Sequence, residues 1–101
     1  MAELKLAVDS MRIGEFCRKW RATELAVFGS VLRDDFGPDS DIDVLVTFEA
    51  DVPWSLFEWL DMIEEMKEIF GRPVDLVDSA SLRNPFRRRA ILEGKEVLHA
   101  A

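Results

Sequence analysis

The sequence lacks the features that mark secreted proteins and membrane proteins. Cys17 is the only cysteine, so no disulfide can form within the chain, and a reducing compartment is expected. No apolar run approaches the roughly 18 residues that suggest a membrane span. The first residues do not combine a basic start with an apolar segment, as a secretory signal would. We therefore expect a cytoplasmic protein with no membrane association.

Basic residues are also scarce. The chain holds 13 Lys and Arg residues against 20 Asp and Glu residues, which gives a net charge of −7 and a pI of about 4.6. A general nucleic-acid binder usually carries a basic face, so no direct nucleic-acid binding is expected. The charge is uneven, because residues 81–101 carry five basic and two acidic side chains, a net charge of +3.

The chain does contain enough apolar material for a core. Apolar residues make up 49% of the 101 residues, and the aromatic side chains are seven Phe and three Trp, with no Tyr. A chain of this length and composition is expected to form a single domain over residues 1–101.

Hydrophobic periodicity predicts the helices, and apolar or β-branched runs predict the strands. Helices are expected over residues 9–20, 31–35, 53–70 and 84–93, and strands over residues 24–28, 41–48, 73–78 and 96–98. A Gly-Pro pair marks residues 36–40 as a loop. This order predicts an α/β fold of the α+β, two-layer kind, with helices packed on a small mixed sheet.

The long helix over residues 53–70 has clear signals at both ends. Ser55 and Glu58 have the pattern of a capping box, Asp51 before Pro53 is an alternative start, and Gly71 ends the helix. At least one of Trp54 and Trp59 is expected in the core. The apolar stripe that we expect to be buried comprises Leu56, Leu60, Ile63, Met66 and Phe70.

Asp41 and Asp43 form the first part of a candidate site. Residues i and i+2 of a strand project from the same face, so the two carboxylates lie side by side. Such a pair is unfavourable without a cation, and Mg²⁺ typically takes one or two carboxylates together with substrate phosphates. An Asp-x-Asp alone is also an ordinary way for a surface strand to begin.

The second part is Gly29-Ser30, which follows an apolar strand and precedes a short predicted helix. The N–H groups at the start of a helix favour anions, so this turn can hold a phosphate. Arg33, one helical turn beyond Ser30, can help to hold it. A simple turn and a solvated surface arginine are the alternatives.

A third carboxylate, Asp75, stands within an otherwise apolar strand, on the same face as Val77. A carboxylate in the middle of such a strand needs a partner or a metal ion. Asp78 lies on the opposite face and is expected to end the strand or cap a helix.

These motifs, and the ten residues that separate Gly29-Ser30 from Asp41, resemble those of the minimal nucleotidyltransferases, the smallest members of the polymerase-beta-like superfamily. The central match is the segment 25–46, with Arg33 and Ser40 in place, and the resemblance extends over nearly the whole chain. Asp34 departs from the pattern, since many relatives have Gly after the arginine.

The resemblance implies transfer of a nucleoside monophosphate with release of pyrophosphate. Asp41 and Asp43 would ligate two Mg²⁺ ions, while Asp75 would ligate one of them and assist deprotonation of the acceptor hydroxyl. Gly29 and Ser30 would hold the triphosphate of ATP, with Arg33 and Ser40 at the same nucleotide site.

The small size of the chain narrows the range of acceptors that the resemblance implies. Bare domains of this size resemble the MNT antitoxins of HEPN–MNT toxin–antitoxin pairs, in which AMP is transferred to a tyrosine of the HEPN ribonuclease in a hetero-oligomer. Two alternatives remain: an antitoxin that inhibits by binding alone, and a transferase for a small hydroxylated molecule such as an aminoglycoside. The absence of Tyr excludes self-modification on tyrosine.

Four arginines near the end of the chain could suggest an RNA-linked role. Arg87, Arg88 and Arg89 cannot share one face of a helix, so a solvated helix is the expected reading for them and for Arg83.

Overall fold

A computed structural model of the chain describes residues 9–29 and 41–100. Within these two stretches the elements follow the predicted order and confirm the α+β fold with a mixed sheet. The predicted helix over residues 31–35 and the loop over residues 36–40 lie outside the described residues. In chain order the elements are α1 (Ser10–Trp20), β1 (Ala22–Phe28), β2 (Ile42–Phe48), α2 (Leu56–Phe70), β3 (Val74–Asp78), a 3₁₀ turn (Ser79–Ser81), α3 (Pro85–Gly94) and β4 (Glu96–Ala100).

The helices begin and end where local chemistry dictates. The Asp9 carboxylate accepts hydrogen bonds from two backbone N–H groups in the first turn of α1, at 3.1 and 3.2 Å. The predicted capping box of α2 is confirmed, because Glu58 accepts a hydrogen bond from the Ser55 backbone N–H at 3.0 Å. Gly71 ends α2 with a φ of +70°, and Asn84 caps α3. None of the helices among the described residues has the length and apolar character needed to cross a membrane.

The sheet has the strand order β3-β2-β1-β4. β1 pairs antiparallel with β2 and β4, whereas β2 and β3 are parallel. Parallel strands need a crossover connection, which α2 provides. β4, the strand predicted over residues 96–98, is an edge strand of this sheet.

Pairing with neighbours extends two strands beyond their predicted bounds. β1 begins at Ala22 rather than residue 24, because Ala22 pairs with Phe48 across a register shift. β4 continues past Leu98 to Ala100, which pairs with Glu24.

One face of the sheet is sealed by α1 and α2, and we call it the helix-covered face. The predicted stripe of α1 is confirmed, and the alternate residues of three strands meet it. The helices bury Ile13, Phe16, Cys17, Trp20, Met62, Met66 and Phe70, and the strands bury Leu25, Val27, Ile42, Val44, Val46, Val74 and Leu76.

The predicted stripe of α2 is partly wrong. Met66 and Phe70 are buried as expected, but Leu56 and Leu60 are 68% and 50% exposed. Met62, outside the predicted stripe, is fully buried. Both stripes have helical spacing, because α2 carries apolar residues on more than one side, and packing against the sheet selects between them.

The opposite face of the sheet carries a smaller cluster of buried residues, and we call it the site face. It comprises Ala26 and Phe28 of β1 and Leu45 of β2, covered by Leu82 and by Ile91 of α3. Asp43 and Asp75 share this face, because they alternate along their strands with residues of the larger core.

Candidate active site

The register of the sheet places three of the predicted site residues side by side across neighbouring strands. Asp43 is the direct Cα partner of Phe28 on one side and of Asp75 on the other. Gly29 follows Phe28, so the phosphate-binding turn, the central carboxylate and the third carboxylate lie across three adjacent strands. The structure thus brings Gly29, Asp43 and Asp75 together, as the sequence predicts.

Gly29 is required by its backbone conformation and by its neighbour. Its φ is +72°, in the left-handed region that disfavours residues with a side chain. A Cβ atom at this position would overlap Oδ2 of Asp43 and lie 3.3 Å from its Cγ. The absence of a side chain at residue 29 is therefore what leaves room for the Asp43 carboxylate.

Asp41 lies directly before β2 rather than within it, and its side chain is exposed. The next residue, Ile42, is fully buried and donates a backbone hydrogen bond to the carbonyl of Pro73 at 3.0 Å. This bond joins the beginning of β2 to the segment that leads into β3. The burial of Ile42 and this backbone hydrogen bond therefore hold Asp41 at the beginning of β2.

Asp75 lies on the predicted face of β3, alternating with the buried residues Val74 and Leu76. Its side chain is exposed, so burial does not demand a partner for this carboxylate. Asp78 is confirmed as a capping residue, because it accepts a hydrogen bond from the Ala80 backbone N–H at 3.0 Å. Asp78 therefore has a structural role at the beginning of the 3₁₀ turn, whereas Asp75 caps none of the described helices.

Three further predicted nucleotide-binding residues, Ser30, Arg33 and Ser40, lie outside the described residues. Their roles stay predictions.

The donors that the structure does place are suited to magnesium. Asp43 and Asp75 present carboxylate oxygens from two paired strands, and Gly29 keeps the space beside Asp43 clear. Among residues 9–29 and 41–100, no group of three or more His, Cys, Asp or Glu side chains is close enough to hold a metal ion by itself. Mg²⁺ at phosphate-transfer sites usually needs only one or two carboxylates, with substrate phosphates completing its coordination.

Two arginines that the sequence indicated only as solvated lie near this site. Arg83 and Arg87 line a cavity of about 370 Å³ together with Asp75. Linear spacing gave no signal for this arrangement, because the turn over Ser79–Ser81 sets where α3 begins. A larger groove of about 610 Å³ lies between α1 and α2, but it is on the other side of the sheet from the carboxylates.

Comparisons of the sequence agree with this geometry. The family described as "Nucleotidyltransferase domain" matches residues 11–98. The chain is 36% identical to a "Putative protein adenylyltransferase" of Methanocaldococcus jannaschii, over 74% of this chain and 75% of that protein. It is 34% identical to "Protein adenylyltransferase MntA" of Thermococcus cleftensis, over 78% of each chain.

Solved structures share the fold. A "putative minimal nucleotidyltransferase" has a TM-score of 0.70 at 29% identity, covering 86% of both chains. A toxin–antitoxin complex with AMP-PNP gives a TM-score of 0.71 at 21% identity, covering 93% of this chain and 75% of that one. A complex of a tri-AMPylated Shewanella oneidensis HEPN toxin with its MNT antitoxin gives 0.64 at 21% identity, covering 91% and 70%.

The family match spans nearly all of the chain, and the fold and the aligned carboxylates fit it. The two relatives described above carry the name protein adenylyltransferase, one of them as putative, and this chain belongs to the nucleotidyltransferase domain family.

Proposed function

We propose that this protein is an antitoxin that transfers AMP from ATP to a tyrosine hydroxyl of a partner HEPN ribonuclease. The observation that carries the proposal is the alignment of Gly29, Asp43 and Asp75 across three neighbouring strands. The names of the relatives and the toxin–antitoxin complexes of the same fold support the choice of donor and partner. ATP is plentiful in the cytoplasm, where the sequence predicts that the protein works.

Each residue of the site has a distinct task in this reaction. Gly29 lets the backbone approach the triphosphate, and Asp41 and Asp43 would hold two magnesium ions, with Asp75 ligating one of them. When bound, the metal ions would neutralise the phosphate charge that develops on transfer. Ser30, Arg33 and Ser40 are proposed to complete the nucleotide site.

Asp75 is proposed to accept the proton of the acceptor tyrosine. The phenolic oxygen forms a bond to the α-phosphorus, and the bond from that phosphorus to the bridging oxygen of the β-phosphate breaks. Pyrophosphate leaves with the electron pair, and AMP remains on the tyrosine. Exposure of Asp75 to solvent suits this task, because the acceptor must reach its carboxylate.

The decisive experiment separates chemistry from binding alone. Substoichiometric antitoxin with ATP and Mg²⁺ should silence the ribonuclease activity of the toxin and add AMP-sized masses to a toxin tyrosine. Asp75→Asn should slow this transfer by about 10²–10⁴-fold, the range for loss of general-base assistance. Asp61→Asn, an exposed change of the same kind on α2, is the matched control and should act like the wild type.

Two results would contradict the proposal. Inhibition that requires equimolar protein, ignores ATP and survives Asp75→Asn indicates an antitoxin that acts by binding. Transfer of AMP to an aminoglycoside, with none to the toxin, indicates the small-molecule alternative.

A further inference from the structure

A cavity of about 370 Å³ opens beside the third carboxylate, between the end of β3 and the beginning of α3. Its volume lies within the usual range for small-ligand sites, about 300–1,000 Å³. The role proposed for Asp75 uses only one wall of it. The cavity is lined by Asp75, Val77, Ser81, Leu82, Arg83, Asn84 and Arg87.

Two of the polar residues in the cavity are already engaged within the chain. The Ser81 hydroxyl donates to the carbonyl of Asp78 at 2.7 Å, and the Asn84 side chain caps α3. Arg83 and Arg87 are exposed and form no ion pair with any residue of the described stretches. The cavity therefore offers two guanidinium groups to a ligand.

The remaining lining is apolar and adjoins the carboxylate. Val77 shares the face of Asp75 on β3, and Leu82 is 7% exposed within the smaller core cluster. An apolar surface with arginines beside it suits an aromatic ring, because guanidinium groups stack on aromatic faces. A carboxylate at one wall suits a hydroxyl on that ring.

The strand order places this cavity on the acceptor side of the site. Gly29 lies beyond Asp43 in one direction across the sheet, and Asp75 lies beyond it in the other. If the triphosphate lies at Gly29, the attacking group must approach from the side of Asp75. The cavity opens on that side.

We propose that this cavity is the acceptor pocket and that it holds the phenol ring of the target tyrosine. Val77 and Leu82 contact the ring, Arg83 and Arg87 stack on it, and Asp75 meets its hydroxyl. This inference rests on the proposed function for the identity of the acceptor protein. It adds the residues that select an aromatic alcohol, since an aliphatic hydroxyl would leave the apolar surface and both arginines without contacts.

Binding of a tyrosine analogue tests the pocket without using the reaction. N-acetyl-tyrosinamide is mixed with the full chain, without ATP, and saturation-transfer NMR measures contact with its ring protons. We expect transfer to this ring and none to N-acetyl-serinamide. Arg87→Gln should reduce the signal severalfold and Arg83→Gln/Arg87→Gln should abolish it, whereas Arg88→Gln, one residue along α3, should leave it unchanged.

Kinetics with the purified toxin give the second arm. Arg87→Gln should raise the KM for the toxin by about tenfold, as expected for loss of one cation–π contact. The KM for ATP should not change, and Arg88→Gln should match the wild type in both constants. If Arg87→Gln and Arg88→Gln behave alike in both the NMR experiment and the kinetics, the proposed acceptor pocket is wrong.

The two proposals fail differently. If the tyrosine analogue binds in an Arg87-dependent way but no AMP reaches the toxin, the pocket stands and the proposed function fails. If AMP reaches the toxin while the analogue does not bind and the Arg87→Gln kinetics are normal, the function stands and the pocket fails. A change in the KM for ATP alone would assign the arginines to the nucleotide and also overturn the pocket.

Discussion

The two faces of the sheet differ in how much of the protein they hold together. Within the described stretches, fifteen buried residues form the cluster on the helix-covered face, and five form the cluster on the site face. The same strands serve both faces, since Val44 is fully buried in the larger cluster while its neighbour Asp43 lies at the site. The fold therefore concentrates stability on one face and leaves the other open to a substrate, so substitutions on the two faces should separate stability from activity.

The largest expected effect on stability lies on the helix-covered face. Met62→Ala removes a fully buried side chain and leaves a cavity, which should lower the free energy of unfolding by about 2–5 kcal/mol. Leu56→Ala, on the same helix but 68% exposed, should change it by no more than about 0.5 kcal/mol. Urea unfolding measures both, and equal losses would show that the first turn of α2 packs more tightly than the structure indicates.

A combined loss of activity and stability is expected at Gly29. Gly29→Ala would push the Asp43 carboxylate aside, and displacement of a reacting group by about 1 Å can cost about 10²-fold in rate. The left-handed backbone should add a stability loss of about 1–2 kcal/mol.

Gly71→Ala is the matched control for Gly29→Ala. Gly71 has a φ of +70° and nothing within 4 Å of an added Cβ, so it shares the backbone strain without the overlap. It should lose stability and keep its rate of AMP transfer per folded molecule. Equal rates for the two variants would contradict a special role for residue 29.

A smaller loss of stability should follow from removing a single hydrogen bond on the helix-covered face. Trp54 donates from Nε1 to the carbonyl of Trp20 at 3.0 Å. Trp54→Phe keeps an aromatic ring and removes that donor, so the free energy of unfolding should fall by about 1 kcal/mol. The Trp59 ring packs edge-on against Phe48, with 6.5 Å between the ring centroids, and Trp59→Phe should lower the free energy of unfolding by less. The AMP-transfer rate should stay unchanged in both variants.

The last effect is confined to alkaline pH. Burial raises the pKa of the Cys17 thiol from 9.0 to about 11, opposed by the nearby Arg18. The unfolded chain therefore releases this proton at lower pH than the folded chain, so the contribution to stability is full below pH 9 and falls as the pH rises towards 11. Urea unfolding between these limits should show a steeper decline for the wild type than for Cys17→Ala. Parallel curves would indicate that the thiol ionises alike in both states.

The local features of the fold could be predicted from the sequence because they depend on neighbouring residues. The capping box at Ser55 and Glu58 and the end of α2 at Gly71 follow from side chains a few positions apart. The choice between Leu60 and Met62 for the core could not be predicted. Both lie on a helix with several apolar sides, and the contact with the sheet decides which side faces inward.

The candidate site likewise has parts that the sequence could predict and parts that it could not. The pairing of Asp43 with Asp75 joins two strands separated by all of α2, so their register depends on how the crossover packs. The resemblance to a family indicated these residues, whereas spacing alone did not. Arg83 and Arg87 were predicted only as solvated, because their position beside Asp75 depends on the turn that precedes α3.

The aromatic residues of the helix-covered face also determine what optical spectroscopy can observe. All three tryptophans lie on that side: Trp20 is buried in its core, Trp54 meets it edge-on at 5.4 Å and 82°, and Trp59 packs nearby. Indole fluorescence and near-ultraviolet circular dichroism of this chain therefore report on the α1–α2 packing. Because the chain has no tyrosine, any tyrosine emission from a complex belongs to the partner.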